Sequence, residues 1–156
     1  MMSELGEGMT APRFDLPRDG GGNVSLDDLA GKIVVLYFYP KDDTSGCTTE
    51  AVDFTAMAED FAKAGAVVVG MSPDSVKAHD KFVAKHGLGV ILASDEDKTT
   101  LEAYGVWTEK SMYGRTYMGV ERSTFLIDRD GKIARVWRKV KVKGHAAEVL
   151  DAVRAL

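Results

Sequence analysis

The sequence has a single cysteine, Cys47, among its 156 residues. One thiol excludes an internal disulfide, a CxxC dithiol exchanger and a cysteine-rich zinc site. The three histidines, His79, His86 and His145, lack the spacing of metal ligands, so we predict surface histidines and no metal. The glycine run at 20–22 is not followed by the lysine of a phosphate-binding loop, so no nucleotide cofactor is expected.

A strong charge of one sign and long apolar runs are also lacking. The net charge of −4 provides no basic field for nucleic acid or an anionic membrane surface, and both are excluded as expected partners. The N-terminus has neither the basic start nor the apolar run of a secretory signal, and no stretch approaches a membrane span. We therefore expect a cytoplasmic protein, and 45% apolar residues suit one domain over residues 1–156.

Strands and helices alternate along the first two thirds of the chain. Residues 33–39, IVVLYFY, are too few for a helix and apolar on both faces, which predicts the central strand of a covered sheet. The pattern that follows predicts, in order, a helix over 47–64, a strand over 66–71, a helix over 73–86 capped by Ser72, a strand over 90–93 and a helix from 94 or 95 to 104.

The last third of the chain has a different pattern. Residues 106–119 contain aromatics without a clear period, which predicts a long ordered loop. Residues 123–127 and 132–136 are joined by Asp-Arg-Asp-Gly, a strong hairpin signal, and 149–156 are amphipathic. We predict an α/β sandwich, parallel in its first half, with an antiparallel pair added at its end. The site is then expected at the carboxyl ends of the parallel strands.

Cys47 lies where a thiolate would be stabilised. It follows the predicted central strand and opens a helix, so its sulfur would face free backbone N–H groups and the positive end of the helix dipole. A buried structural cysteine is the alternative. The hydroxyl of Thr44 can both donate to and accept from a small oxygenated substrate, or it can cap the helix. Pro40 shields the thiolate without offering a competing N–H group, or it only ends the strand.

Residues 37–50, YFYPKDDTSGCTTE, resemble the active-site signature of the peroxiredoxins: proline, three residues, threonine, two residues, cysteine. The YFYPK start and the GCTTE end are similar to the bacterioferritin-comigratory subfamily, also called peroxiredoxin Q. The likeness extends to Gly8–Leu16, Lys110–Gly119 and Glu121–Asp128, which resemble the family's N-terminal hairpin, long loop and arginine-bearing strand. It implies a thioredoxin-like three-layer sandwich with a mixed central sheet and an N-terminal β-hairpin.

The resemblance also implies a thiol-dependent peroxidase. A hydroperoxide would bind among Thr44, Arg122 and the first backbone N–H groups of the helix, and the Cys47 thiolate would attack it to give a sulfenic acid. The implied site residues are Cys47, Thr44, Arg122 and Pro40 for catalysis, Ser45 and Gly46 for substrate binding, and Glu50 as a partner that fixes Arg122. Without the resemblance, Arg122 is an exposed strand arginine and Glu50 an acid at a helix N-terminus.

The chain departs from the family at Val52, where many members of the subfamily carry a resolving cysteine. The sulfenic acid would then be reduced by an external thiol: thioredoxin, a glutaredoxin or glutathione. We also expect less unwinding of the helix on oxidation. A peroxide sensor or redox adaptor with little turnover, and a structural module with an inert thiol, are the alternatives. A monomer is favoured over a dimer, although Trp107, Met112, Tyr113 and Met118 suit a substrate entrance and a dimer contact equally.

Overall fold

The computed structural model describes residues 5–156, so the first four residues of the predicted 1–156 domain lie outside the described residues. The strands are β1 (Asp15–Pro17), β2 (Asn23–Ser25), β3 (Ile33–Phe38), β4 (Ala66–Ser72), β5 (Ile91–Ser94), β6 (Trp107–Met112), β7 (Arg115–Val120), β8 (Ser123–Ile127) and β9 (Ile133–Trp137). The α-helices are α1 (Ser45–Ala56), α2 (Ala58–Lys63), α3 (Val76–His86), α4 (Thr99–Ala103) and α5 (His145–Arg154).

A five-stranded mixed sheet in the order β5-β4-β3-β8-β9 forms the middle layer. Strands β3, β4 and β5 are parallel, whereas β8 pairs antiparallel with both β3 and β9. Every residue of β3 is buried, as its continuous apolar run requires of a strand that is covered on both faces. The predicted central strand, the parallel half of the sheet and the final hairpin are confirmed, each to within one residue.

Alternation along β3 creates a separate core on each face of the sheet. Val35 and Tyr37 pack with residues of α1, α2 and α5, while Leu36 and Phe38 pack on the other face with the N-terminal segment and α4. This gives the predicted three-layer arrangement. The N-terminal hairpin is formed by β1 and β2 rather than by residues 8–16, with the glycine run at its turn.

The loop prediction for residues 106–119 is wrong, because β6 and β7 form an antiparallel hairpin there. Its turn residues Tyr113 and Gly114 have φ of 52° and 76°, the left-handed pair of a two-residue hairpin turn. Most side chains of the two strands are exposed or half-buried. With no face fully covered, the sequence lacks the apolar alternation from which a strand is predicted.

Several helix boundaries also differ from the prediction. The helix predicted over 47–64 is divided at Met57 into α1 and α2. The cap of α3 is Ser75, whose Oγ accepts from the N–H of Ala78 at 3.1 Å, rather than Ser72. Helix α5 begins four residues early, after Gly144 at φ 73°, where no side-chain cap marks its start. Across residues 5–156, no helix combines the length and apolar character that a bilayer crossing requires.

Candidate active site

Cys47 occupies the third position of α1, beside the carboxyl end of β3. Its side chain is buried, with 1% of the residue exposed. Thr44 precedes the helix in an extended conformation, and its Oγ1 donates to the carbonyl of Lys41 at 2.9 Å instead of capping α1. The first N–H groups of α1 are therefore not used by that cap, and together with the helix dipole they favour negative charge at Cys47.

Arg122 reaches Cys47 because of the register between two neighbouring strands. Phe38, the last residue of β3, pairs with Ser123, the first residue of β8, so residue 122 lies at the same sheet edge as the loop before α1. Arg122 Nη2 donates to Cys47 Sγ at 3.2 Å. A fixed cation at this distance stabilises a thiolate and any negative charge that develops beside it.

Glu50 holds the other side of the guanidinium. Arg122 Nη1 donates to Glu50 Oε1 at 2.6 Å, and the carboxylate is 1% exposed. Burial raises the pKa of Glu50 to about 7, although Arg122 opposes the rise. Burial also disfavours the charge of Arg122, but Glu50 and Cys47 outweigh it, so the pKa of the guanidinium is raised. The cation is thus shared by two acidic groups, Cys47 and Glu50.

Gly46 leaves the space that the guanidinium occupies. A Cβ at this position would lie 3.3 Å from Arg122 Nη2, closer than ordinary van der Waals contact. The absence of a side chain lets the cation approach the first turn of α1. Gly46 is therefore adapted to the position of Arg122.

The structure brings Cys47, Glu50 and Arg122 together at one edge of the sheet, where the sequence placed the site. Thr44 is exposed directly before α1, and its hydroxyl bonds to the carbonyl of Lys41. Ser45 is exposed at the first position of α1, and Pro40 is half-buried. Without the resemblance, Arg122 was expected to be an exposed strand arginine and Glu50 an acid at a helix N-terminus. Neither interpretation fits, because Arg122 is half-buried and Glu50 is buried against it. The catalytic and binding roles of these residues remain predictions.

Sequence reasoning missed a buried polar cluster beside the site. The surface prediction is wrong for His79 and His145, which are 0% and 5% exposed. His79 Nδ1 lies 2.6 Å from Asp42 Oδ2, in the loop between β3 and α1. One signal could have revealed the burial of His79, though not its partner: it precedes the buried Phe82 by three residues and so shares the apolar face of α3.

Comparison with known proteins is consistent with this geometry. The model of the AhpC/TSA family matches residues 8–136. A putative peroxiredoxin bcp of Coxiella burnetii is 56% identical over 143 residues, which cover 92% of this chain and 95% of the relative. A cysteine-to-serine mutant of Xylella fastidiosa PrxQ superposes with a TM-score of 0.93 at 42% identity, covering 99% of this chain and 98% of that one.

A third similar protein has a described activity. The bacterioferritin comigratory protein of Xanthomonas campestris, whose alkyl peroxide reduction activity was studied through trapped intermediate and ligand complexes, is 49% identical. Its structure has a TM-score of 0.87 and covers 91% of this chain and 90% of its own. The chain therefore belongs to the AhpC/TSA family, in the group formed by the Bcp and peroxiredoxin Q proteins.

Proposed function

We propose that this thiol-dependent peroxidase reduces hydrogen peroxide and organic hydroperoxides at Cys47. One observation carries the proposal: the buried Sγ accepts a hydrogen bond from Arg122 at 3.2 Å at the start of a helix. The cation and the helix N-terminus both favour the thiolate, which is the nucleophilic form of cysteine. The substrate class is supported by the alkyl peroxide reduction studied in the Xanthomonas campestris relative.

The chemical step is a displacement at oxygen. The Cys47 thiolate attacks the terminal oxygen of the hydroperoxide, so that an S–O bond forms while the O–O bond breaks. The sulfur is oxidised to a sulfenic acid, and the leaving alkoxide or hydroxide takes a proton to become an alcohol or water. A stabilised thiolate is a weaker nucleophile, so the acceleration depends on orienting and polarising the O–O bond. Thr44, Arg122 and the N–H groups of Ser45 to Cys47 supply that orientation in this proposal.

Recovery of the thiol requires a second molecule. The chain has no other cysteine, and Val52, the position where the resemblance implies a resolving cysteine in many members of the subfamily, is 42% exposed on α1. An external thiol therefore attacks the sulfenic sulfur, releases water and forms a mixed disulfide, which a further thiol reduces. Thioredoxin, a glutaredoxin or glutathione can fill this role in the cytoplasm, where we place the cycle. We also propose a monomer, because Arg122 bonds to both Cys47 and Glu50 within the chain, so these contacts of the thiol need no second subunit.

Mass spectrometry of the intact protein tests the proposal directly. After one equivalent of peroxide, the protein should gain one oxygen, and added glutathione should convert that species into a mixed disulfide. Cys47→Ser should show neither product while keeping all seven methionines, so it corrects for methionine sulfoxide. If Cys47→Ser gained the mass of one oxygen atom to the same extent as the wild type, the proposal would be rejected.

The absence of a second cysteine also favours a second candidate, a peroxide sensor whose oxidised thiol is read by a partner. Without an internal resolving thiol, the sulfenic acid persists until another molecule meets it. Steady peroxide consumption with thioredoxin, glutaredoxin or glutathione identifies the peroxidase. A single stoichiometric burst with every reductant identifies the sensor.

A further inference from the structure

The loop that joins β3 to α1 is attached to α3 through a buried carboxylate. Asp42, two residues before Thr44, accepts from the Tyr39 hydroxyl at 2.5 Å and approaches His79 Nδ1 at 2.6 Å. Its own N–H donates to Asp74 Oδ2 at 2.8 Å. Three contacts thus fix one residue of a short loop, and Asp42 is only 9% exposed.

The partners of His79 determine its charge. Nδ1 faces the Asp42 carboxylate, and Nε2 lies 2.9 Å from the carbonyl oxygen of Ala93. Both partners are hydrogen-bond acceptors, so both ring nitrogens must carry a proton, as only the imidazolium does. Burial opposes this charge, but the hydrogen bond and the charge of Asp42 outweigh it, and the pKa of His79 is raised. Asp42 and His79 therefore form an ion pair inside the protein.

Stability alone does not account for a buried ion pair in this position. Removing two charges from water costs several kcal/mol, and an apolar pair of similar volume is often as stable. The segment between β4 and α3 also packs here and adds Asp74, whose Oδ2 accepts from Ser72 Oγ at 2.6 Å. The pair instead fixes the position of the loop, because it connects His79 of α3 to Asp42, two residues before Thr44.

The same residues do not make a convincing metal site. Asp42, Asp74 and His79 are a candidate triad whose ligand atoms lie within 4.8 Å of one another. Each of those atoms is already engaged: His79 Nδ1 with Asp42 Oδ2, and Asp74 Oδ2 with the Ser72 hydroxyl and the Asp42 N–H. The cluster satisfies itself through hydrogen bonds, which favours a structural connection over a cation site.

We propose that the buried Asp42–His79 ion pair positions the loop of residues 40–44, so that Thr44, directly before α1, is placed to orient the peroxide for attack by Cys47. Asp42 and His79 are positioning residues: they act through Thr44 and touch neither the thiol nor the substrate. The inference rests on the proposed peroxidase function. It predicts that breaking the pair slows the oxidation of Cys47 by misplacing Thr44.

The test is a double-mutant cycle on the second-order rate constant for Cys47 oxidation by hydrogen peroxide. Asp42→Asn should lower that rate constant about 10-fold to 100-fold, the range expected when a reacting group is misplaced by about 1 Å. In a Thr44→Val background, the same substitution should cost less than about twofold, because the residue it positions is already impaired. Effects that multiply in the double variant would overturn the proposal, since a general loss of structure acts on any background.

Asp43→Asn is the matched control. Asp43 is the next residue of the same loop and pairs with Lys85 and His86 of α3, but at the surface, at 2.7 and 2.8 Å. Asparagine tolerates its φ of 60°, and an exposed ion pair contributes little. The rate constant for Asp43→Asn should stay within about twofold of the wild type. If Asp43→Asn lowered the rate constant as much as Asp42→Asn does, breaking any contact of this loop would slow oxidation. That result would reject the special role of the buried pair.

A second variant keeps the test decisive if Asp42→Asn does not fold. Tyr39→Phe removes only the hydroxyl that donates to Asp42, and it should lower the rate constant about threefold with the same non-additivity toward Thr44→Val. Near-ultraviolet circular dichroism establishes that each variant is folded. If Tyr39→Phe and Asp42→Asn are folded and their rate constants are unchanged, the inference is refuted. The proposed function would still stand in that case, provided that the wild type turns over peroxide. An inactive wild type would instead reject the function.

Discussion

At the scale of single residues, the site depends on an atom that Gly46 lacks. Because the φ of Gly46 is not positive, alanine fits its backbone, and α1 would gain from a residue that favours helix. The added Cβ would nevertheless press on Arg122 Nη2 from 3.3 Å and displace the guanidinium from Cys47 Sγ. We expect Gly46→Ala to lower the rate of Cys47 oxidation about tenfold without lowering the free energy of unfolding.

The measurement pairs peroxide kinetics with urea unfolding of the same variant. Gly89→Ala is the control, because its Cβ would meet Thr55 at an ordinary 3.4 Å, far along the chain from Arg122. An unchanged oxidation rate in Gly46→Ala would show that the guanidinium adjusts without cost. A fall in both rate and stability would point to damage to α1 rather than to the position of Arg122.

At the scale of elements, local sequence was informative where burial is continuous. Strand β3 was predictable from its apolar run. The β8–β9 hairpin was predictable from the apolar residues of its strands and from the turn that joins them. Thr44 and Cys47 are three residues apart, so the sequence of one loop and the start of one helix was enough to predict a stabilised thiolate with a nearby hydroxyl. Arg122 is 75 residues from Cys47, and it was recognised only by the resemblance. The contact of Asp42 with His79 depends on how α3 packs, which no local pattern encodes.

The β6–β7 hairpin is an element that the sequence concealed, and its turn is strained by one side chain. Tyr113 adopts φ 52° while it is 97% exposed, so no packing compensates for the left-handed conformation. With Gly114 it forms the turn for which Asn-Gly is preferred. We expect Tyr113→Asn to stabilise the hairpin by about 0.5–1 kcal/mol.

Hydrogen exchange at the amides of β6 and β7 measures this local effect, with β3 as the internal reference. Slower exchange should be confined to residues 107–120 in Tyr113→Asn. Tyr117→Asn, which also removes an exposed tyrosine but lies within β7, should not slow exchange. Equal or faster exchange in Tyr113→Asn would contradict the strain argument.

At the scale of the whole molecule, two buried groups make stability depend on pH in opposite directions. Burial raises the pKa of Glu50 from 4.5 to about 7, so the folded state binds a proton that the unfolded state releases, and stability falls as pH rises through this window. Burial lowers the pKa of His145 from 6.5 to about 4, so stability rises with pH from about 4 to 6.5. Each shift corresponds to roughly 3 kcal/mol.

Between pH 4.5 and 6.5 the two effects overlap and offset each other, so neither appears as a separate slope in the wild type. Removing one group should expose the other. We expect Glu50→Gln to make the free energy of unfolding rise more steeply with pH in this window, and His145→Gln to make it fall. The difference from the wild type isolates each group from Asp95, whose pKa burial raises to about 6 and which acts in the same direction as Glu50.

Urea unfolding at several pH values across this window gives the slopes. Glu96→Gln removes an exposed carboxylate and controls for the loss of a negative charge as such. Parallel curves for wild type, Glu50→Gln and His145→Gln would show that neither buried group changes its proton binding on folding. Slopes that diverge in opposite directions would establish that folding raises the proton affinity of the Glu50 carboxylate beside Arg122 and lowers that of the His145 imidazole beside Thr124.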